Sequence, residues 1–167
     1  MESSLRRLVP LVLVAGLLLA AAPPVTATDP SLAAAETTMV GLLNAQRTAA
    51  GLVPLQVDAR LTTIARARST DMAVNDYFGH QQPDGRYAWD LMNAAGIVWY
   101  GAGEIIGRTA GLTLSGSVTA VAQSWQASAP HAAIISSNTF NYFGVGVAID
   151  ATGRIIWTGV FMQGPDR

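Results

Sequence analysis

The chain has 167 residues, of which 50% are hydrophobic and 13% charged, with two histidines, no cysteine and a formal net charge of −1. That length suits one domain, or one domain with a short appendage. The lack of cysteine excludes disulfide frameworks, thiolate zinc sites and thiol nucleophiles. The near-neutral charge, with no excess of basic residues, argues against a nucleic-acid partner. His80 and His131 are the two imidazoles available for acid–base work or ligation near neutral pH.

At the N-terminus, Arg6 and Arg7 precede an almost unbroken apolar run from Leu8 to Ala22, followed by Pro23, Pro24 and the small-residue pattern Val25-Thr26-Ala27. A basic segment, an apolar core of about 15 residues and a small-x-small end form the grammar of a signal peptide. The run is shorter than the roughly 20 residues a membrane span needs. Residues 1–27 are therefore expected to be a signal peptide removed after Ala27. That gives a secreted, extracellular or envelope-associated protein, tethered to a membrane only if the leader is retained. Residues 28–37 read as a linker or the start of the first helix, with Asp29 as N-cap and Pro30 at the first helical position. The remaining chain, about 140 residues, is long enough to bury roughly 68% of its unfolded surface without staples.

Beyond the leader, Leu32 to Ala50 carries Leu32, Met39, Val40 and Leu43 at helical spacing and stops at Gly51. Asp58 caps a second expected helix running to about Asn75, with Leu61, Ile64, Ala65 and Met72 as its apolar stripe. Pro83-Asp84-Gly85 is a turn, Tyr87 to Ala95 a short helix and Trp99 to Ile106 a strand. Ser117 to Ser128 reads as a further helix stopped by Pro130. Tyr142 to Asp150 and Arg154 to Phe161 form an expected hairpin around Ala151-Thr152-Gly153. Helices flanking a small, largely antiparallel sheet make the fold class α+β.

Familiar catalytic signatures are missing. There is no Gly-x-Ser-x-Gly elbow and no His-Glu-x-x-His helix. Gly101-x-Gly103-x-x-x-Gly107 lacks the following helix and acidic residue of a dinucleotide loop, and reads better as glycines in a strand that passes close to another backbone. Trp125 and Trp157 are expected in the core. Trp99 and Tyr100, with Trp89, are placed near a cleft entrance, where an aromatic ring stacks on a sugar or covers a lipid. Asp76 and Asp84 read as a solvated helix end and a turn residue.

The remaining motifs are dispersed but ordered. Asn44-Ala45-Gln46-Arg47, Gly51-Leu52-Val53-Pro54-Leu55, Asp58 and Leu61 lead to Asp71-Met72-Ala73 and Phe78-Gly79-His80. Pro83-Asp84-Gly85, Gly103-Glu104, Trp125-x-x-Ser128-x-Pro130-His131 and Gly144-Val145-Gly146-Val147 follow. In that order and spacing, from Thr38 to Met162, the chain resembles the CAP superfamily of cysteine-rich secretory proteins, antigen 5 and pathogenesis-related proteins, and above all its bacterial secreted, SCP-like branch. Residues 38–167 would form the CAP domain.

The resemblance implies a three-layer α-β-α sandwich whose cleft receives two histidines and an acid. Residue by residue, His80 matches the first histidine, Glu104 the acid of a Gly-Glu-Asn motif and His131 the second histidine, while Ser128 stands where many eukaryotic members carry another acid. Two imidazoles and a carboxylate are a ligand set for Zn2+ or another divalent cation, with a fourth position open to water. The same trio reads instead, and better, as a hydrogen-bonded polar cluster. Ile105 and Ile134 replace polar residues of the family pattern, which would weaken the shell that orients metal ligands. The function expected is that of a monomeric extracellular binding module for a cell-envelope, lipid or protein ligand, not an enzyme. A metal-assisted hydrolase using His80, Glu104 and His131 is the alternative, and a wall adhesin a third reading.

Overall fold

The computed structural model describes residues 30–165. The expected leader, its cleavage point and the Asp29 cap lie outside them. Helix α1 spans Pro30–Ala49, and the spacing of its buried Leu32, Ala35, Met39 and Leu43 lays one stripe on the core. It ends before Gly51, whose φ of +74° suits a residue without a Cβ. A two-residue strand β1, Gln56–Val57, precedes α2, Ala59–Val74. The Asp58 carboxylate caps α2 by accepting the Arg60 N–H at 2.8 Å, as the sequence implied.

Helix α3 covers Ala88–Ala94 and strand β2 covers Gly101–Thr109. Helix α4 runs over Leu114–Ala127. It begins three residues before the expected start because Thr113 Oγ1 accepts the Gly116 N–H at 3.1 Å and caps it there. Contrary to the sequence reading, Pro130 does not end the helical region. Helix α4 closes at Ala127, and a new helix α5, Ala129–Ile135, starts at once with Pro130 in its first turn, where a missing N–H costs no helical bond. Strands β3, Tyr142–Ile149, and β4, Ile155–Gln163, form the expected hairpin. The Asp150 carboxylate organises its turn by accepting the N–H groups of Thr152 and Arg154 at 2.8 and 3.0 Å.

The described residues form one four-stranded sheet in the order β1-β3-β4-β2, with β1 parallel to β3 and the other pairings antiparallel. Alternation along the strands sorts side chains to two faces. Ile105, Phe143, Val145, Val147, Trp157 and Phe161 pack with α1, α4 and Ile135 of α5. On the other face Ile106, Ile156, Val160 and Met162 meet α2 and α3. The result is a three-layer α-β-α sandwich, in agreement with the α+β reading. Trp125 and Trp157, 1% and 0% exposed, lie in the first core as expected.

The Gly144-Val145-Gly146-Val147 motif explains how closely α2 sits on the sheet. A Cβ at Gly144 would lie 2.1 Å from the Thr62 nitrogen, and one at Gly146 2.1 Å from the Arg66 nitrogen. Helix backbone thus rests directly on strand backbone. The glycines of β2 serve a different purpose from the close backbone approach expected for them. Gly103 lies under the Phe140 ring and Ile134, and Gly107 under Val121 and Trp125, so they make room for side chains. Beyond β1 the edge of β3 is protected by Glu36 of α1, which accepts the Val147 N–H at 3.2 Å and takes a forked ion pair from Arg66.

Candidate functional site

The motif residues at the end of α1 hold loops in place. Asn44 exchanges two hydrogen bonds with the backbone of Leu55, at 2.8 and 3.0 Å. Buried Arg47 donates to the carbonyls of Val53, Ile135 and Ser137, fixing the loop before β1 and the segment that leaves α5. This anchorage carries α5, and His131 with it, to the sheet.

Glu104 projects from β2 toward α2 and is 6% exposed. Its two oxygens are both engaged. Oε1 accepts from Arg68 Nε at 2.8 Å, and Oε2 lies 2.8 Å from His80 Nδ1. Arg68 belongs to the buried stripe of α2, Leu61, Ile64, Ala65, Arg68, Ser69 and Met72. Its guanidinium also donates to the Tyr77 hydroxyl at 2.6 Å and to the carbonyls of Gly79 and His80, each at 2.8 Å. One buried cation thus binds the acid and clamps the loop that carries the histidine. Burial, the largest single influence, opposes the charge of Arg68, yet the bonds and charges of Glu104 and Tyr77 together hold the pKa above the ordinary value.

The network continues outward. Tyr77 donates to Asp71 at 2.5 Å, and Asp71 also accepts from Gln82 at 3.0 Å and Asn75 at 2.8 Å. Burial, then the bond to Asp71, pushes the Tyr77 hydroxyl up to about 12 despite Arg68. The buried Gln82 Oε1 has no hydrogen-bond partner. Beside the loop, Arg108 of β2 stacks on the ring of Phe78, 4.7 Å from its centroid.

His131 approaches from α5. Its Nδ1 lies 2.9 Å from Ser128 Oγ at the α4–α5 junction. Burial, and secondarily the nearby charge of His80, lower its pKa from the usual histidine value, so the neutral imidazole prevails at pH 7. The two histidines are therefore close enough to sense each other electrostatically, although each is bonded to a different partner.

The structure joins His80 to Glu104 and gives His131 a different partner, Ser128. Among the described residues no group of three or more His, Cys, Asp or Glu side chains is placed to hold a metal ion. Glu104 has committed its oxygens to Arg68 and His80, and His131 has turned Nδ1 to Ser128. The trio forms two hydrogen-bonded pairs, each made through Nδ1 of a histidine. Ile105 does not deprive Glu104 of a polar neighbour either, because strand alternation sends Ile105 to the opposite face, in the core beside α4. Ile134 packs against that same core.

The aromatic residues sit around α3. Trp99 Nε1 donates to Asn93 at 2.9 Å, and Trp89 stacks on Tyr87 with centroids 4.5 Å apart. Both tryptophans lean on the α2–α3 core, whereas Tyr100 is 64% exposed. Asp84 pairs with Arg86 within its turn, and Asp76, at a φ of +48°, pairs with Arg154 of the hairpin. Arg68 is the site residue the sequence reading passed over. Its signal was the helical stripe itself, in which position 68 falls inward between Ala65 and Met72.

No helix among the described residues is long and apolar enough to cross a membrane. Comparison with known proteins agrees with this architecture. The description "Cysteine-rich secretory protein family" (CAP) matches residues 40–161. The chain is 36% identical over 139 residues to YkwD of Bacillus subtilis (strain 168), an alignment covering 82% of this chain and 50% of that protein. It therefore spans about half the length of that relative. Among solved structures it is similar to an extracellular SCP-domain protein of Bacillus anthracis str. Ames, with a TM-score of 0.66 and 24% identity over 78% of this chain and 41% of that one. It is similar also to an outer surface protein of Borrelia burgdorferi, with a TM-score of 0.70 and 15% identity over 79% and 94% of the two chains. With the matched segment running from within α1 into β4, the chain belongs to the cysteine-rich secretory protein (CAP) family.

Proposed function

We propose that the chain is a secreted bacterial CAP-domain protein that acts as an extracellular binding module. Its ligand, a component of the cell envelope, a lipid or a protein, would meet the cleft at His80, Glu104, Ser128 and His131. The observation that supports this reading best is the use of Glu104. A carboxylate held on both oxygens by Arg68 and His80 supports a rigid polar surface at this place. The metal-assisted hydrolase would need a three-ligand set, and among the described residues no group of three His, Cys, Asp or Glu is so placed. Extracellular character rests on the relatives and on the leader read from the sequence.

The test is co-sedimentation of the full chain with purified bacterial cell-envelope fragments. Wild type is expected in the pellet, and the double variant His80→Ala/His131→Ala is expected to lose most of that retention. Equal retention of the double variant would transfer binding to another surface and sink the cleft reading, in favour of an adhesin.

A further inference from the structure

We propose that Ser128 is an activated nucleophile with His131 as its general base, a site for acyl transfer from an ester. This goes beyond the binding reading and does not rest on it. The argument starts from an omission. Serine at a helix N-cap ordinarily turns its hydroxyl onto the N–H groups of the first turn. Ser128 holds that place at the head of α5 yet makes no such bond. Its Oγ lies instead 2.9 Å from Nδ1 of His131, within the range of a nucleophile–base pair.

The backbone around the pair is fixed from both sides. Ser128 ends α4 by donating its N–H to the Ser124 carbonyl at 3.1 Å, and opens α5 by accepting the Ala132 N–H on its own carbonyl at 2.8 Å. Ser128 thus stands at the corner between two helices, half-buried, with half-buried His131 three residues on. The lowered pKa of His131 supports the same assignment, since a base must be neutral to take a proton. Nδ1 then accepts the hydroxyl proton and Nε2 carries the ring hydrogen.

The step balances without an added reagent beyond ester and water. Ser128 Oγ bonds to the carbonyl carbon while its proton passes to Nδ1. The imidazolium returns that proton to the departing alkoxide as the ester C–O bond breaks, leaving an acyl-serine. Water then attacks the acyl carbon and gives a proton to Nδ1. The proton returns to Oγ as the carboxylic acid leaves.

Two readouts test the pair without knowledge of the natural ester. A fluorophosphonate probe is incubated with the full chain and the adduct located by peptide mass spectrometry. Labelling of Ser128 should exceed that of exposed Ser115 at least tenfold, and His131→Gln should remove that excess. In parallel, Ser128→Cys and Ser115→Cys each introduce the sole thiol of a chain that has none. Iodoacetamide at pH 6 should alkylate the thiol at position 128 at least tenfold faster, because a neighbouring imidazole favours the thiolate. Equal labelling of the two serines, or equal alkylation of the two thiols, would overturn the proposal. Because Ser128→Cys keeps a small polar side chain at the helix junction, the second arm does not depend on whether His131→Gln folds.

Discussion

At the scale of single residues, the His80–Glu104 cluster is organised by an arginine with no exposure to solvent. Arg68 binds Glu104, Tyr77, Gly79 and His80 and, at 3.9 Å, reaches Asp71. Taking one member from a buried ion pair leaves an uncompensated charge, a loss of about 3–5 kcal/mol. Arg68→Met is therefore expected to destabilise the fold by about that amount in urea unfolding, and to release the His80 loop. Glu104→Gln alone should also destabilise. The double variant should lose at least about 1 kcal/mol less than the sum of the two, the signature of direct coupling. Additive losses would show that the pair contributes nothing as a pair. The histidines and the glutamate were legible from motif order because they stand beside glycines and a proline at fixed spacing. Arg68 was not, since an arginine within Ala-Arg-Ala-Arg-Ser reads as solvated until the inward stripe of α2 is traced through it. Arg66, two residues away, is instead partly exposed and pairs with Glu36.

At the scale of elements, the contact between α2 and β3 controls the spacing of the layers. Gly146→Ala places a methyl carbon where the Arg66 nitrogen already lies 2.1 Å away. Neither helix nor strand backbone moves freely there, so the variant should lose about 3 kcal/mol or more, at the high end of overpacking. Gly153→Ala in the hairpin turn meets no atom but takes an unfavourable φ of +82°, and should lose only about 1 kcal/mol. Thermal denaturation of both variants checks the order; equal losses would refute the close-packing account. Strong caps made α2 readable from Asp58, and alternation made the hairpin readable. β1 was not readable because two exposed residues carry no alternation, and it exists through the Gln56 N–H bond to the Asn141 carbonyl and the bond of the flanking Asp58 N–H to the Phe143 carbonyl. Helix α5 was hidden by Pro130, which terminates a helix in mid-run but is well tolerated in a first turn. The chemistry follows from that detail, since α5 is what brings His131 to Ser128.

At the scale of the whole molecule, a sandwich without disulfides is held by two apolar cores on either side of one sheet, with buried polar clamps at both ends of the central strands. Glu36 protects one edge of the sheet, and Trp125 covers the other by donating its indole N–H to the Ile106 carbonyl at 2.9 Å. The low charge noted at the outset fits a molecule in which Glu36, Arg47, Arg68, Glu104 and Asp150 are all buried and matched within the structure. The central claim is that His80, Glu104 and His131 belong to a hydrogen-bonded polar frame in which the acid is paired on both oxygens. Calorimetric titration of the full chain with zinc chloride at pH 7, beside His80→Ala and His131→Ala, tests it most directly. The account predicts no saturable heat that depends on either histidine. A one-to-one isotherm in wild type, abolished by each alanine substitution, would contradict it.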